Sequence, residues 1–321
     1  MSDAQFKKKR IDVVFNIVQG GFDGSNNETI TLTGHRVGCQ IQNAGMETGV
    51  MCALRIEGMK LDQMNRLSVV QSSVVSQSMN TVTVMAGNDG DVLPVVFSGG
   101  IIEGFADFSG SPDIAFVVTA MSTARASAEP ITSTSFNGPV SVATVMEAIA
   151  AKIGLGFVNN GVNVTLVGNV YYCGSAREQM QKCAEATRIN YNIAMNRLVI
   201  WPKAITANTG EVADISSETG LLGYPSYSQG GVTLQCLFNP NIGLFSTIRL
   251  TSQYSPAAWV NNEGQLRSQS GAGAVYPPSN GLWVTQRVQH DIQTEAPGAP
   301  WLTTIEAARP EIAGQVAAFG R

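Results

Sequence analysis

Residues 220–251 read GLLGYPSYSQGGVTLQCLFNPNIGLFSTIRLT, and this stretch decides how the rest of the chain is read. Gly220, Gly223 and Pro225 interrupt the backbone. Gly230 and Gly231 then open a strand over 232–237, in which Val232, Leu234 and Cys236 alternate with Thr233 and Gln235. Asn239, Pro240, Asn241 and Gly243 supply a turn. A second alternating run follows, with Ile248 and Leu250 on one side and Thr247, Arg249 and Thr251 on the other. Alternation of this kind describes a sheet with one packed face and one wet face. No side chain in it is a nucleophile poised beside a base.

Most of the chain is built the same way. Ile11, Val13, Phe15 and Ile17 alternate with other residues, and the glycines and asparagines of 20–27 turn the chain. Further strands are expected at 29–33, 37–41, 51–58, 81–85, 92–97, 101–105 and 115–119. Leu61, Met64 and Leu67 fall at helical spacing, so a short helix is expected there. Short strands every 8–12 residues with turn signals between them point to a barrel or sandwich.

The pattern changes at Glu129 and Pro130. Ser141 can cap a helix whose inner face is Val142, Val145, Met146, Ile149 and Ile153, stopped by Gly154. Asn160-Gly161 predicts a hairpin between 157–158 and 162–167. Ser175 and Glu178 form a capping box for a second helix with Met180, Cys183, Ala184 and Thr187 inward. Tyr191 to Trp201 predicts another hairpin turning near Asn196. Strands return after 204, with a long one over 282–292 and another over 301–305. The stretch 271–278 is expected as a mobile loop, and 312–319 as a short helix or an arm. The fold class is α+β, mainly β: a first β domain over 1–130, a small α+β insert over 131–203, and a second β domain over 204–321.

Composition narrows function. Charged residues are 14% of the 321, against roughly 25% in soluble domains, so Gly, Ser, Thr, Asn and Gln carry the polar surface. That suits β-rich chains that bury surface by assembling. Net charge is −4, so there is no global basic field for nucleic acid. The basic run Lys7–Arg10 reads as a solvated tail before the first strand, and it does not fit a secretion leader. No run of 18 apolar residues exists. Cys39, Cys52, Cys173, Cys183 and Cys236 are scattered without a CxxC pair, which reads as free, mostly buried thiols.

The search for chemistry returns little. A nucleophilic triad needs a histidine, and only His35 and His290 exist, each read as structural. His35 and Cys39 share a strand face, but a metal needs more ligands than these two. There is no phosphate loop or dinucleotide fingerprint. Glu103, Asp107 and Asp113 are the nearest approach to an acidic cluster, and read as a solvated strand edge and loop. Tyr171-Tyr172, Tyr224 with Tyr227, and Trp283 with Trp301 are candidates for a sugar-stacking face, set against packing in cores or a subunit contact. No catalytic, cofactor or metal residue is assigned.

A likeness then emerges at the opening stretch. Its G-x-x-G-x-P run, strand, Leu-Phe-Asn-Pro turn and strand ending Ile-x-Leu resemble the baseplate hub proteins of contractile-tailed bacteriophages. The likeness continues in Arg10–Phe15, Gly21-Phe22, Leu32–Arg36, Ala53–Met59, Met64–Leu67, Phe136–Val142, Phe157–Gly161 and His290–Trp301. Phe245-Ser246 departs from it, where the family often has a glycine. The resemblance implies a homotrimer of two tube-type β-barrel domains per chain, a pseudo-sixfold ring that adapts a sixfold tail tube to a threefold central spike. It implies a lumen that passes the tape measure protein and then DNA without specific binding, and a place in the virion baseplate after assembly in the host cytoplasm. The structural and interface candidates are Gly220, Gly223, Tyr224, Pro225, Gly230, Asn239, Pro240 and Trp301. Two rival readings stay open: the hub of a related contractile injection machine, and a tail-associated cell-wall hydrolase or glycan-binding protein.

Overall fold

The structure, a computed structural model, describes residues 7–17, 28–43, 49–68, 79–128, 130–205, 212–228, 231–253, 280–310 and 313. The expected turn at 20–27, Gly230, the loop at 271–278 and all of the 312–319 tail but Ala313 lie outside the described residues. Mainly β architecture is what the alternation predicts. The chain divides into two compact units, residues 1–203 with 292–300, and residues 204–291 with 301–321.

In the first unit, β1 (Lys9–Asn16), β2 (Thr29–Leu32), β3 (Arg36–Asn43) and β4 (Val50–Glu57) precede α1 (Leu61–Leu67). Then come β5 (Thr81–Asn88), β6 (Val95–Asp107), β7 (Ala115–Met121) and α2 (Ala124–Ala128). These strands run antiparallel in the order β3-β4-β7-β6-β5-β1-β2. Ile11, Val13, Phe15, Val37, Ile56, Val82, Val84 and Phe116 fill the inner face, and Phe15 meets Phe116 edge-on at 6.3 Å.

Two expectations are corrected here. The separate strands at 92–97 and 101–105 are one 13-residue strand, β6, because an irregularity between Ile101 and Glu103 absorbs the glycine signal without ending the pairing. Val92 stays outside it, almost fully exposed. Met64 and Leu67 of α1 are buried as predicted, but Leu61 is half exposed, because it opens the helix rather than facing the sheet.

The unit continues through β8 (Thr134–Phe136), β9 (Val140–Ser141), α3 (Val142–Lys152), β10 (Gly156–Asn159), β11 (Thr165–Leu166), β12 (Val170–Tyr172), α4 (Ala176–Thr187), β13 (Asn190–Ala194) and β14 (Arg197–Trp201). Ser141 accepts from the Thr144 amide at 3.0 Å, and Ser175 with Glu178 completes the predicted capping box. The faces read from periodicity pack into one core: Val142, Val145, Met146, Ile149 and Ile153 of the α3 region against Met180, Cys183 and Ala184 of α4. Burying each such side chain stabilises by about 1.5–3 kcal/mol. Lys152 Nζ donates to Thr132 O, Ser133 O and Thr134 Oγ1 at 2.7–2.9 Å, tying the end of α3 to the entry segment. The β13–β14 hairpin turns on Met195 and Asn196, both at positive φ, as the sequence predicts. The predicted hairpin at Asn160-Gly161 is absent. Asn159 closes that turn through both side-chain atoms to Val162, but β10 pairs in parallel with β14 and β11 pairs with β9. The dipeptide sets a local bend, and partner choice is non-local.

The second unit holds β15 (Val212–Ile215), β16 (Leu221–Ser228), β17 (Gly231–Leu237), β18 (Thr247–Leu250), most of β19 (Gly281–Gln293) and β20 (Trp301–Ala308). β17 lies between β16 and β20, whereas β18 pairs with β15 in parallel and with β19. The two strands of the opening stretch are therefore not partners, and the residues between them form a connector with two turns. Residues 221–228, where breakers predict interruption, form a strand. Gly223, Tyr224 and Pro225 fit as a bulge between Leu222 and Ser226, which an edge strand tolerates. Val232, Leu234, Ile248, Leu250, Trp283 and Ile305 make the core. Among the described residues, the strands of each unit form open paths, and neither closes into the expected barrel.

Candidate functional site

The predicted hub residues fall into two groups. The first surrounds the end of β17. Phe238 donates its amide to Trp301 O at 3.1 Å, and its ring stands edge-on to both Trp301 and His290 with centroids 5.2 Å away. Asn239 donates its amide to Thr303 Oγ1 at 3.3 Å, while its own Oδ1 accepts from the Asn241 amide at 3.0 Å. That Asx turn, with Pro240 presetting φ, fixes the path out of the strand. Gly220 closes the same end, since its carbonyl accepts from the Leu237 amide at 2.8 Å.

The second group is the bulge. Gly223 has φ +67° with open space around it, Pro225 is buried, and Tyr224 is 66% exposed. Leu222 lies opposite Gln235, and Leu237 opposite Leu302, so these four side chains share the outward face of β16, β17 and β20. Leu237 is 54% exposed and Leu222 39%, so apolar surface faces outward here. Gly230 lies outside the described residues, and its neighbour Gly231 carries the constraint. An added Cβ there would sit 1.9 Å from Ala307 O of β20.

The sequence reading missed Phe238, His290 and Thr303 as a connected cluster. The aromatic before Asn-Pro and the spacing of His290 to Thr303 across the closing segment were its only signals. His290 is buried, with Nδ1 2.8 Å from Thr303 Oγ1, and burial pushes it down to about 4 despite Asp291 nearby. His35 instead places Nδ1 3.1 Å from Thr33 O. Among the described residues no group of three or more His, Cys, Asp or Glu could hold a metal. Cys39 and Cys52 lie 3.8 Å apart as buried free thiols, and burial pushes Cys52 up.

Other candidates disperse. Asp107 is held at about 2 by the Arg55 guanidinium 2.8 Å away, with Ser109 assisting, so it serves an ion pair. Trp283 is 1% exposed with the Arg309 guanidinium 4.2 Å above it, which removes it from any stacking surface. Burial beside Cys183 pushes Tyr172 up to about 12, while its neighbour Tyr171 is exposed. The basic run is not a free tail. Lys9 and Arg10 open β1, Lys7 pairs with Asp91, Lys8 with Glu295, and Arg10 with Asp12 and Asp89. No helix among the described residues is long and apolar enough to cross a membrane.

Comparison with known families and structures completes this picture. The family model described as Baseplate hub gp41 matches residues 10–263. The chain belongs to this baseplate hub family. The family match takes in β1 through β18 and ends before β19, so the closing segment from His290 to Trp301 lies outside it. A tail protein from Neisseria meningitidis MC58 shares the hub chain's fold at TM-score 0.56, with 8% identity over 97% of this chain and 99% of that one. The 43 kDa tail protein of prophage MuSo2 from Shewanella oneidensis is similar at TM-score 0.51, with 12% identity over 94% and 98%. No curated protein matches the hub chain.

Proposed function

We propose that this chain is a structural, non-enzymatic baseplate hub that works as a homotrimer. Its two β units act as tube-type domains whose ring closure comes from neighbouring copies. Three chains then offer six similar β units to the tail tube and threefold symmetry to the spike. The channel passes the tape measure protein and DNA, and a chain of net charge −4 suits a pore that must not retain DNA. Single-domain boundaries at 130 and 203 belong to this reading. The observation that carries it is the exposed apolar surface of Leu222 and Leu237, beside half-buried Leu302 on the outward face of β16, β17 and β20, since a subunit contact would take such surface out of water.

Leu237→Glu tests it. The side chain is 54% exposed, so the monomer's stability is expected to change by no more than about 0.5 kcal/mol. A charge in a closed contact is costly, so sedimentation is expected to show the wild-type trimer replaced by folded monomer. A variant that assembles like wild type would remove this face from the interface.

A further inference from the structure

The chain contains three Asn-Gly dipeptides, Asn137-Gly138, Asn160-Gly161 and Asn280-Gly281, and the fold constrains them differently. Asparagine before glycine is thermolabile, because the next amide nitrogen is not screened by a side chain and reaches the carboxamide carbon. The reaction needs two freedoms: a carboxamide that can turn, and an amide N–H that no acceptor holds.

Two of the three dipeptides lack one of these. At Asn280 the carboxamide is held at both ends, since Oδ1 accepts from the Ser252 amide at 2.7 Å and Nδ2 donates to Ser252 O at 3.2 Å. At Asn137 the nucleophile is held, since Gly138 N donates to Asn169 Oδ1 at 2.9 Å. Asn160 has both freedoms. Asn160 and Gly161 are exposed, and among the described residues neither the Asn160 carboxamide nor the Gly161 amide has a hydrogen-bond partner. Gly161 has φ +91° with open space where a Cβ would lie, so no neighbour covers the amide. Only the flanks of the dipeptide are fixed. Asn160 N donates to Ile200 O at 2.9 Å, and Asn159 clamps Val162, its Oδ1 accepting from Val162 N at 2.8 Å and its Nδ2 donating to Val162 O at 3.1 Å.

We propose that Asn160 is a self-modification site, where the chain converts its own carboxamide to a carboxylate and, in one of the products, reroutes its backbone. Gly161 N gives its proton to solvent and bonds to Asn160 Cγ; the Cγ–Nδ2 bond breaks and ammonia leaves. Water then opens the cyclic imide. Breaking the bond from Gly161 N to Cγ gives aspartate. Breaking its bond to the Asn160 carbonyl carbon gives isoaspartate, whose main chain runs through Cβ and Cγ. No electrons are exchanged, and water is the sole co-reactant. Either product adds a negative charge to an exposed turn. Isoaspartate also adds a methylene to the chain between Asn159 and Val162, the span that the Asn159 clamp closes. Val162 packs in the core beneath α3 and α4, so the lengthened turn loosens an edge of that core.

The test uses the full-length wild-type protein, aged at mildly alkaline pH and mapped by peptide mass spectrometry with fragmentation that tells aspartate from isoaspartate. Relative to the same protein in urea, where all three dipeptides are unfolded, Asn137 and Asn280 are expected to convert at least about tenfold more slowly, and Asn160 at a similar rate. The Val162 amide is expected to exchange about tenfold faster in the aged protein than in Asn160→Asp, which carries the new charge on an ordinary backbone. Asn160 protected to the same degree as Asn137 and Asn280, faster conversion at either of those than at Asn160, or equal Val162 exchange in the aged protein and in Asn160→Asp would each overturn the proposal.

Discussion

Gly231→Val is expected to abolish the folded second unit. The Cβ it adds would lie 1.9 Å from Ala307 O, 2.9 Å from Ala307 C and 3.0 Å from Ala308 Cα, all backbone atoms of β20 that cannot swing aside. The residue also has φ +155°, which a β-branched side chain avoids. Relief requires β17 to move off β20, and β17 is the central strand of β16-β17-β20. The combined cost exceeds about 3 kcal/mol, a large part of the stability of a unit this size. Near-UV circular dichroism and soluble yield are the readouts, and Gly223→Ala is the control. Gly223 also has positive φ but open space, so its substitution costs only about 1–2 kcal/mol and leaves a folded protein. A Gly231→Val protein with wild-type yield and spectrum would show that β17 and β20 do not approach as described.

Trp283→Ala is expected to cost about 3–5 kcal/mol, measured as a shift of the denaturant midpoint for the second unit. Trp283 heads the largest fully buried side chains and lies opposite Ile248 of β18. The loss has two parts. A cavity opens in the cluster that Trp283 shares with Ile248, Leu250 and Val288, which rigid strands cannot fill. Arg309 loses the ring beneath its guanidinium, worth about 1 kcal/mol. Trp283→Phe keeps most of the apolar volume and is expected to recover more than half of the loss. The first unit has its own cores, so its transition is expected to stay where it is. A cost near zero for Trp283→Ala would place this side chain at the surface and reopen the stacking reading.

The elements legible in the sequence were those with a local cause. The α3 and α4 helices follow from apolar spacing and from Ser141, Ser175 and Glu178, whose capping bonds involve residues three apart. The β13–β14 hairpin follows from a two-residue turn at Met195 and Asn196. What failed depended on partners far along the chain. Gly223 and Pro225 look like strand breakers, yet at a sheet edge a bulge accommodates both. The Asn160-Gly161 signal is a real bend, but β10 finds its partner about 40 residues on, in β14. The site was divided in the same way. Gly220, Gly223, Asn239 and Pro240 were visible as turn formers. Thr303 and His290 were not, because their contact with Phe238 and Asn239 spans more than 50 residues and crosses two strands. Gly231 rather than Gly230 carries the steric constraint, a distinction that depends on where β20 passes.

The mass and shape of the purified full-length protein test the central claim most directly. Sedimentation equilibrium at micromolar concentration, with negative-stain images of the same sample, is expected to give three times 34.0 kDa and rings with a central opening. A single species of 34.0 kDa at every concentration, with no ring in the images, would contradict the account.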